Sequence, residues 1–148
     1  MDINVSRSVV YTCGTFDLFH IGHLRMIQAG AALGDTLIVA VSTDELVEKY
    51  KGIRPTVPFE ERMEIVRSVK GVDLVVAQHS QDKVAAWERI GFDVWVVGDD
   101  WFASEKYAGY KRDLEDRGVR CVFLPYTGGV SSTQRRLGTT RPAVTASP

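Results

Sequence analysis

The sequence predicts an α/β protein organised on a five-stranded parallel sheet. Five short runs rich in β-branched and apolar residues fall at 9–13, 36–42, 74–77, 93–98 and 120–124. Segments with apolar residues at helical spacing lie between them, and glycines at 34, 71, 91 and 118 stop them. The second run, Thr-Leu-Ile-Val-Ala-Val-Ser, is almost continuously apolar, as a strand covered on both faces should be. Strands that alternate with helices pair in parallel through right-handed crossovers.

The elements follow in order. Residues 9–13 are the first strand, and Gly-Thr-Phe-Asp-Leu-Phe-His-Ile-Gly-His at 14–23 turns out of it. Leu24, Ile27, Ala31 and Leu33 then recur at helical spacing up to Gly34. After the second strand, a short helix runs over 43–49, with Thr43 or Asp44 as its cap. A glycine and two prolines make 51–58 a loop. The spacing of Met63, Ile65, Val66 and Val69 predicts a helix over 58–69. The third strand is 74–77, a helix spans 82–90, and the fourth strand, 93–98, ends in Asp99-Asp100-Trp101. Residues 102–110 are ambiguous, with a loop the simplest reading; 110–117 is a helix and 120–124 the fifth strand. Residues 126–132 form a loop feeding a last helix over 133–137. The tail, 138–148, is rich in Thr, Ser, Ala and Pro and is expected to be disordered, leaving one domain over 1–137. No repeat or linker divides it.

The composition excludes several function classes. A net charge of −1 argues against a general binder of nucleic acid or of anionic membranes, so any phosphate-binding cations must be local. Neither a signal peptide nor a membrane-spanning run is evident, and the protein is read as cytoplasmic. Cys13 and Cys121 sit in apolar strand-like runs and read as core thiols, with no disulfide and no zinc spacing.

The stretch at 14–23 carries the chemistry. It is a strand-to-helix turn, and a helix start offers free N–H groups and a positive dipole end to an anion. Gly14 lets the chain leave the strand without a Cβ, and Gly22 keeps the helix start bare. His20 and His23 are i, i+3 neighbours that can face one ligand and donate to phosphoryl oxygens. The blander reading is a pair of histidines that only cap a helix. The pattern is neither a dinucleotide fingerprint nor a Walker A loop.

His-x-Gly-His behind Gly-Thr-Phe-Asp resembles the signature of the nucleotidylyltransferase superfamily, in its cytidylyltransferase branch, and Gly98-Asp99-Asp100-Trp101 matches the glycerol-3-phosphate enzymes of that branch. The resemblance covers residues 8 to 137. It implies a Rossmann-like αβα sandwich with strand order 3-2-1-4-5, which gathers the ends of strands 1, 4 and 5 at one edge. Ligands of such sheets bind at the carboxyl ends of the strands, near the switch point. It also implies transfer of CMP from CTP to glycerol 3-phosphate, giving CDP-glycerol and pyrophosphate, with magnesium or another divalent cation and a homodimer. Another phospho-alcohol, such as phosphoethanolamine or a different polyol phosphate, remains as acceptor, and a non-catalytic nucleotide-binding module remains as the alternative from another class.

The resemblance also implies roles. His20, His23, Lys51 and Arg62 would be catalytic, with Lys51 and Arg62 neutralising phosphate charge; Lys49 and Arg54 complete a basic cluster. Gly14, Thr15, Phe16, Gly98, Asp99, Tyr126, Thr127, Gly129, Val130, Ser131 and Ser132 would line the nucleotide. Asp100 and Trp101 would meet the acceptor, and Asp17 would either do the same or, the preferred reading, stabilise its turn. Thr127, Gly129 and Ser131 match the family's Arg-Thr-Glu-Gly-Ile-Ser-Thr, but Tyr126 stands where the family has arginine; Arg135 or Arg136 could supply that cation. His79 reads as surface, and no dedicated metal cage is evident.

Overall fold

The computed structural model describes residues 7–98 and 105–125. Its elements are β1 (Val9–Gly14), α1 (Ile21–Ala31), β2 (Thr36–Ser42), α2 (Asp44–Lys51), α3 (Phe59–Arg67), β3 (Leu74–Gln78), α4 (Lys83–Ile90), β4 (Val94–Val97), α5 (Glu105–Glu115) and β5 (Arg120–Phe123). The five strands form one parallel sheet in the order β3-β2-β1-β4-β5. The chain winds outward from β1 to β3, returns to β4 and winds the other way. The switch point therefore lies between β1 and β4, where Thr12 on β1 donates through its hydroxyl to Val96 O on β4 at 2.9 Å.

Alternation along each strand sends side chains to two cores. Val10, Leu37, Val39, Val41, Val94 and Val96 pack with Ile27 of α1 and Val66 of α3 on one face. Tyr11, Ile38, Ala40, Trp95 and Val97 pack with Ala86 of α4 and Leu114 of α5 on the other. β2 is buried from its second residue to its last, which explains its unbroken apolar run.

The amino ends of the strands are tied by carboxylates. Asp35 accepts from Ser8 N at 2.8 Å, Asp73 from Leu37 N at 2.7 Å and Asp93 from Val9 N at 2.9 Å. Each satisfies a backbone donor that the ladder leaves over at the sheet's edge. At the other end of the layer, Gly52 closes α2 with φ of 78°, a left-handed conformation that a residue with a side chain enters at a cost.

The strands lie where the sequence puts them, within a residue or two at each end. Residues 105–110, ambiguous in the sequence, are helical and belong to α5. The reason is tertiary: Tyr107 stacks on Trp95 at 6.0 Å between ring centroids and Tyr110 meets it edge to face at 6.4 Å, and this packing overrides a weak local pattern. Cys13 and Cys121 are free thiols on strands separated by β4. Burial, with Glu115 nearby, pushes the Cys121 thiol up to about 11. Among the described residues no helix is long and apolar enough to cross a membrane. The expected helix at 133–137 and the tail at 138–148 lie outside the described residues.

Leu114 is fully buried beneath α5. Leu114→Ala should cost about 2–5 kcal/mol, read as a lower midpoint in urea unfolding. A change below ~1 kcal/mol would mean that α5 is not part of the second core.

Candidate active site

β1 delivers the chain to the switch point at Gly14, where the turn begins. Phe16 and Leu18 take left-handed conformations, with φ of 56° and 48°. Residues with side chains hold such backbone only when their surroundings force it, at about 1–3 kcal/mol each. Asp17, between them and 1% exposed, supplies part of that force. Its two oxygens accept from Thr56 N at 2.8 Å and Val57 N at 2.9 Å, binding the turn to the α2–α3 loop. Phe16 is buried, and a Cβ on Gly14 would stand 3.3 Å from its ring. Asp17 thus ties the motif turn to the loop between α2 and α3.

The turn ends at His20, which caps α1. Gly22 N donates to His20 Nδ1 at 3.1 Å, and His20 N donates to His23 Nδ1 at 3.2 Å. Each ring spends its Nδ1 lone pair on the helix start, so a neutral ring carries its proton on Nε2 and is a donor there. The rings stack at 3.8 Å between centroids, and Phe16 and Phe19 flank His23 at 5.4 Å each. Gly22 is needed for this arrangement: a Cβ there would stand 3.0 Å from Cε1 and 3.1 Å from Nδ1 of His20. α1 has no acidic residue in its first turn, whereas α2 and α3 have two each.

Arg62, expected to neutralise phosphate charge, is held among protein oxygens. Its side chain is wholly buried. Nε donates to Val57 O at 2.8 Å, Nη1 to Thr15 O at 2.7 Å and Ser42 O at 2.8 Å, and Nη2 to Asp44 Oδ1 at 2.7 Å. Four of the five guanidinium N–H bonds are committed to protein oxygens, so Arg62 ties the motif turn to β2, α2 and the following loop. The neighbouring cations differ. Lys49 and Lys51 are exposed at the end of α2, with Lys51 Nζ 5.7 Å from the centre of the Tyr50 ring. Arg54 pairs with Glu48 at 2.7 Å on the surface.

Thr15 shares a hydrogen bond of 3.0 Å with Tyr50, bringing the end of α2 against the motif turn. Gly98 follows β4, and a Cβ on it would stand 3.1 Å from Met26 Sδ of α1. The structure therefore gathers Gly14, Thr15, Phe16, Asp17, His20, His23, Arg62 and the end of α2 around the carboxyl end of β1. His79 is exposed, as read. The assignments to Asp99, Asp100, Trp101, Tyr126, Thr127, Gly129, Val130, Ser131, Ser132, Arg135 and Arg136 fall outside the described residues. Sequence reasoning missed Tyr50 and read Asp44 only as a possible cap; the contacts of both are long-range and leave no local pattern. Among the described residues no group of three or more His, Cys, Asp or Glu could hold a metal ion.

Residues 11–137 match the family described as cytidylyltransferase-like. The chain is 35% identical over 127 residues to a glycerol-3-phosphate cytidylyltransferase of Bacillus spizizenii, covering 84% of this chain and 92% of that one. It is 33% identical to the enzyme of the same name in Staphylococcus aureus, covering 84% and 89%. It is also 37% identical to the bifunctional protein HldE of Streptomyces coelicolor, over 85% of this chain but only 27% of that longer one. The structure of a lipopolysaccharide core biosynthesis protein from Thermoplasma volcanium shares the fold, with a TM-score of 0.71, 24% identity, and coverage of 82% of this chain and 99% of that one.

The role of Arg62 can be measured without any ligand. Arg62→Leu should lower stability by about 3–5 kcal/mol, because it leaves Asp44 and three carbonyls without their buried donor. Equilibrium unfolding in urea reads it. An unliganded stability within ~0.5 kcal/mol of wild type would return Arg62 to the role of a phosphate ligand.

Proposed function

Because the chain belongs to the cytidylyltransferase-like family, we propose that it transfers CMP from CTP to sn-glycerol 3-phosphate, giving CDP-glycerol and pyrophosphate. The observation that carries the chemistry is the paired capping of α1 by His20 and His23. The acceptor rests on the similarity to enzymes named for it, each matched over about nine-tenths of its length. Transfer to another phospho-alcohol is the second reading, and the comparable identity to HldE proteins is what favours it.

In the proposed reaction a phosphate oxygen of the acceptor attacks the α-phosphorus of CTP in line. The bond from the α-phosphorus to the bridging oxygen breaks, and pyrophosphate leaves with that oxygen. A phosphate dianion is already deprotonated, so no general base is needed. Catalysis is then orientation of two anions and stabilisation of charge as it moves. The Nε2–H groups of His20 and His23 would donate to the α- and β-phosphate oxygens, with the helix dipole behind them. Fixed rings do this at little reorganisation cost, because capping has already oriented them.

Lys51 would add a mobile cation from the end of α2. Ser131, Ser132 and the residues around Tyr126 would meet the β- and γ-phosphates. Arg62 would act by holding the motif turn in place. A divalent cation, magnesium above all, would come in on the triphosphate oxygens and offset their charge. A homodimer in the cytoplasm is part of the same proposal.

Pyrophosphate release from purified protein tests the substrates. CTP with sn-glycerol 3-phosphate should exceed ATP or GTP with the same acceptor, and should exceed CTP with phosphocholine or phosphoethanolamine. A higher kcat/KM with an aminoalcohol phosphate would replace the acceptor, and no release with any pair would favour the binding module.

His23→Ala should lower kcat by about 10²-fold or more, as removal of a transition-state donor does, and His20→Ala should behave alike. Gly22→Ala should also lower kcat, by displacing the His20 ring, while helix propensity keeps the fold intact. Near-wild-type turnover in all three variants would reduce the histidines to helix caps.

A further inference from the structure

α2 ends beside the motif turn with little packing to hold it there. Its buried residues, Leu46 and Val47, lie in its first half, and residues 48–54 are exposed without a break. Lys49 and Lys51 fall in that exposed stretch, so no core packing fixes where their ammonium groups go. Arg54 and Glu48, 2.7 Å apart, close the stretch on α2 itself, and Gly52 N donates to Glu48 O at 2.8 Å. Those contacts shape the end of the helix but do not place it against another element.

Tyr50 does place it. It follows Val47 by three residues and Leu46 by four, so its ring leaves the helix on the buried side. The ring stays 39% exposed, and its hydroxyl shares a hydrogen bond of 3.0 Å with Thr15 Oγ1. Thr15 is a firm anchor, because its carbonyl accepts from Nη1 of the buried Arg62 at 2.7 Å. A hydrogen bond between exposed hydroxyls replaces bonds to water and adds little stability. Its effect is geometric: it fixes the ring against the motif turn.

The ring in turn carries a charge. Lys51 Nζ stands 5.7 Å from its centre, inside the reach of about 6 Å at which an ammonium is attracted to an aromatic face. A lysine at a helix end without such a contact spreads over many rotamers in water. Here a chain of contacts runs from Lys51 through the ring and hydroxyl of Tyr50 to Thr15, in the turn that leads to His20.

We propose that Tyr50 is a positioning residue that acts through Lys51. It holds the ammonium on the side of α2 that faces the motif turn, in place for a triphosphate drawn to His20 and His23. This rests on the reading of that turn as the triphosphate site. Tyr50 makes and breaks no bond in the reaction. It spares the substrate the ordering of Lys51 as charge builds on the phosphates. Hydroxyl and ring have separable tasks, so the effects of removing them are graded. Tyr50→Phe keeps the ring under Lys51 and loses the tether, whereas Tyr50→Ala loses both.

The test is a double-mutant cycle on the full chain, with Tyr50→Phe, Tyr50→Ala, Lys51→Ala and Tyr50→Ala/Lys51→Ala. Thermal unfolding without ligand comes first. All four variants should melt within about 3 °C of wild type, because neither side chain is buried. In pyrophosphate release with CTP and sn-glycerol 3-phosphate, Lys51→Ala should lower kcat/KM for CTP by about tenfold or more. Tyr50→Ala should lose most of the same factor, and Tyr50→Phe about threefold. With Lys51 already alanine, Tyr50→Ala should cost less than about twofold more. A tyrosine that only packed the helix end would cost the same in either background.

Additive losses in the cycle, wild-type kinetics for Tyr50→Ala or Lys51→Ala, or a Tm lowered by more than ~5 °C in Tyr50→Phe overturn the proposal and leave the transfer reading intact. If wild type releases no pyrophosphate with any nucleotide and acceptor, the transfer reading falls, and the same cycle is read as CTP affinity by calorimetry. Non-additive losses of affinity then keep the positioning role. Additive losses, or no CTP binding by wild type, overturn it.

Discussion

The buried guanidinium of Arg62 is the constraint on which the active end of this molecule depends. It joins four pieces of chain that are distant in sequence: the motif turn through Thr15 O, the end of β2 through Ser42 O, α2 through Asp44, and the α2–α3 loop through Val57 O. Desolvating a cation is costly, and only near-complete hydrogen bonding with a close carboxylate offsets it. Asp17 makes the reciprocal tie, from the motif turn to the backbone of Thr56 and Val57. A cation from α3 thus holds the turn's backbone while an anion from the turn holds the loop's backbone. Neither side can shift without unsatisfying the other. That double tie lets Phe16 and Leu18 remain left-handed, and their conformation is what brings the chain round to start α1 at His20.

Capping and catalysis are not competing explanations of the histidine pair. An imidazole has two nitrogens on opposite sides of the ring. Here Nδ1 of each histidine is committed to the backbone, and that commitment selects the tautomer that donates from Nε2. An aspartate could cap as well, but its second oxygen only accepts and would repel a phosphate, whereas the imidazole offers an N–H. The glycine of the motif belongs to the same device. It gives His20 room to fold back on the helix, a more specific reason than bare access for phosphate.

The strands and the helix that carries the histidines were legible in the sequence because local pattern and long-range packing agree there; the strand order came from the family resemblance. The runs at 36–42 and 94–97 are apolar because both faces are covered. The contacts of Arg62 were not legible. Glu61-Arg62 looks the same in sequence whether the arginine faces solvent, a phosphate or Asp44, eighteen residues earlier. Residues 105–110 were ambiguous because their helix packs on the Trp95 ring across the core, a contact that local pattern does not show.

A net charge of −1 conceals a separation along the sheet. At the amino ends of the strands, Asp35, Asp73 and Asp93 accept from backbone N–H groups. At the carboxyl ends lie His20, His23 and Arg62, the last paired with Asp44, together with the capped start of α1. The two sets do different work. The aspartates satisfy donors that the ladder leaves over, which any parallel sheet needs. The cations and imidazole donors cost the unliganded protein stability wherever their partners are incomplete. Bringing two phosphates together requires such groups to be in place before the anions arrive, because a site that had to assemble them would spend binding energy on ordering. The near-neutral total is that of the whole chain, 18 Lys and Arg against 19 Asp and Glu. It gives the chain no general attraction for polyanions while keeping one edge of the sheet receptive to small ones.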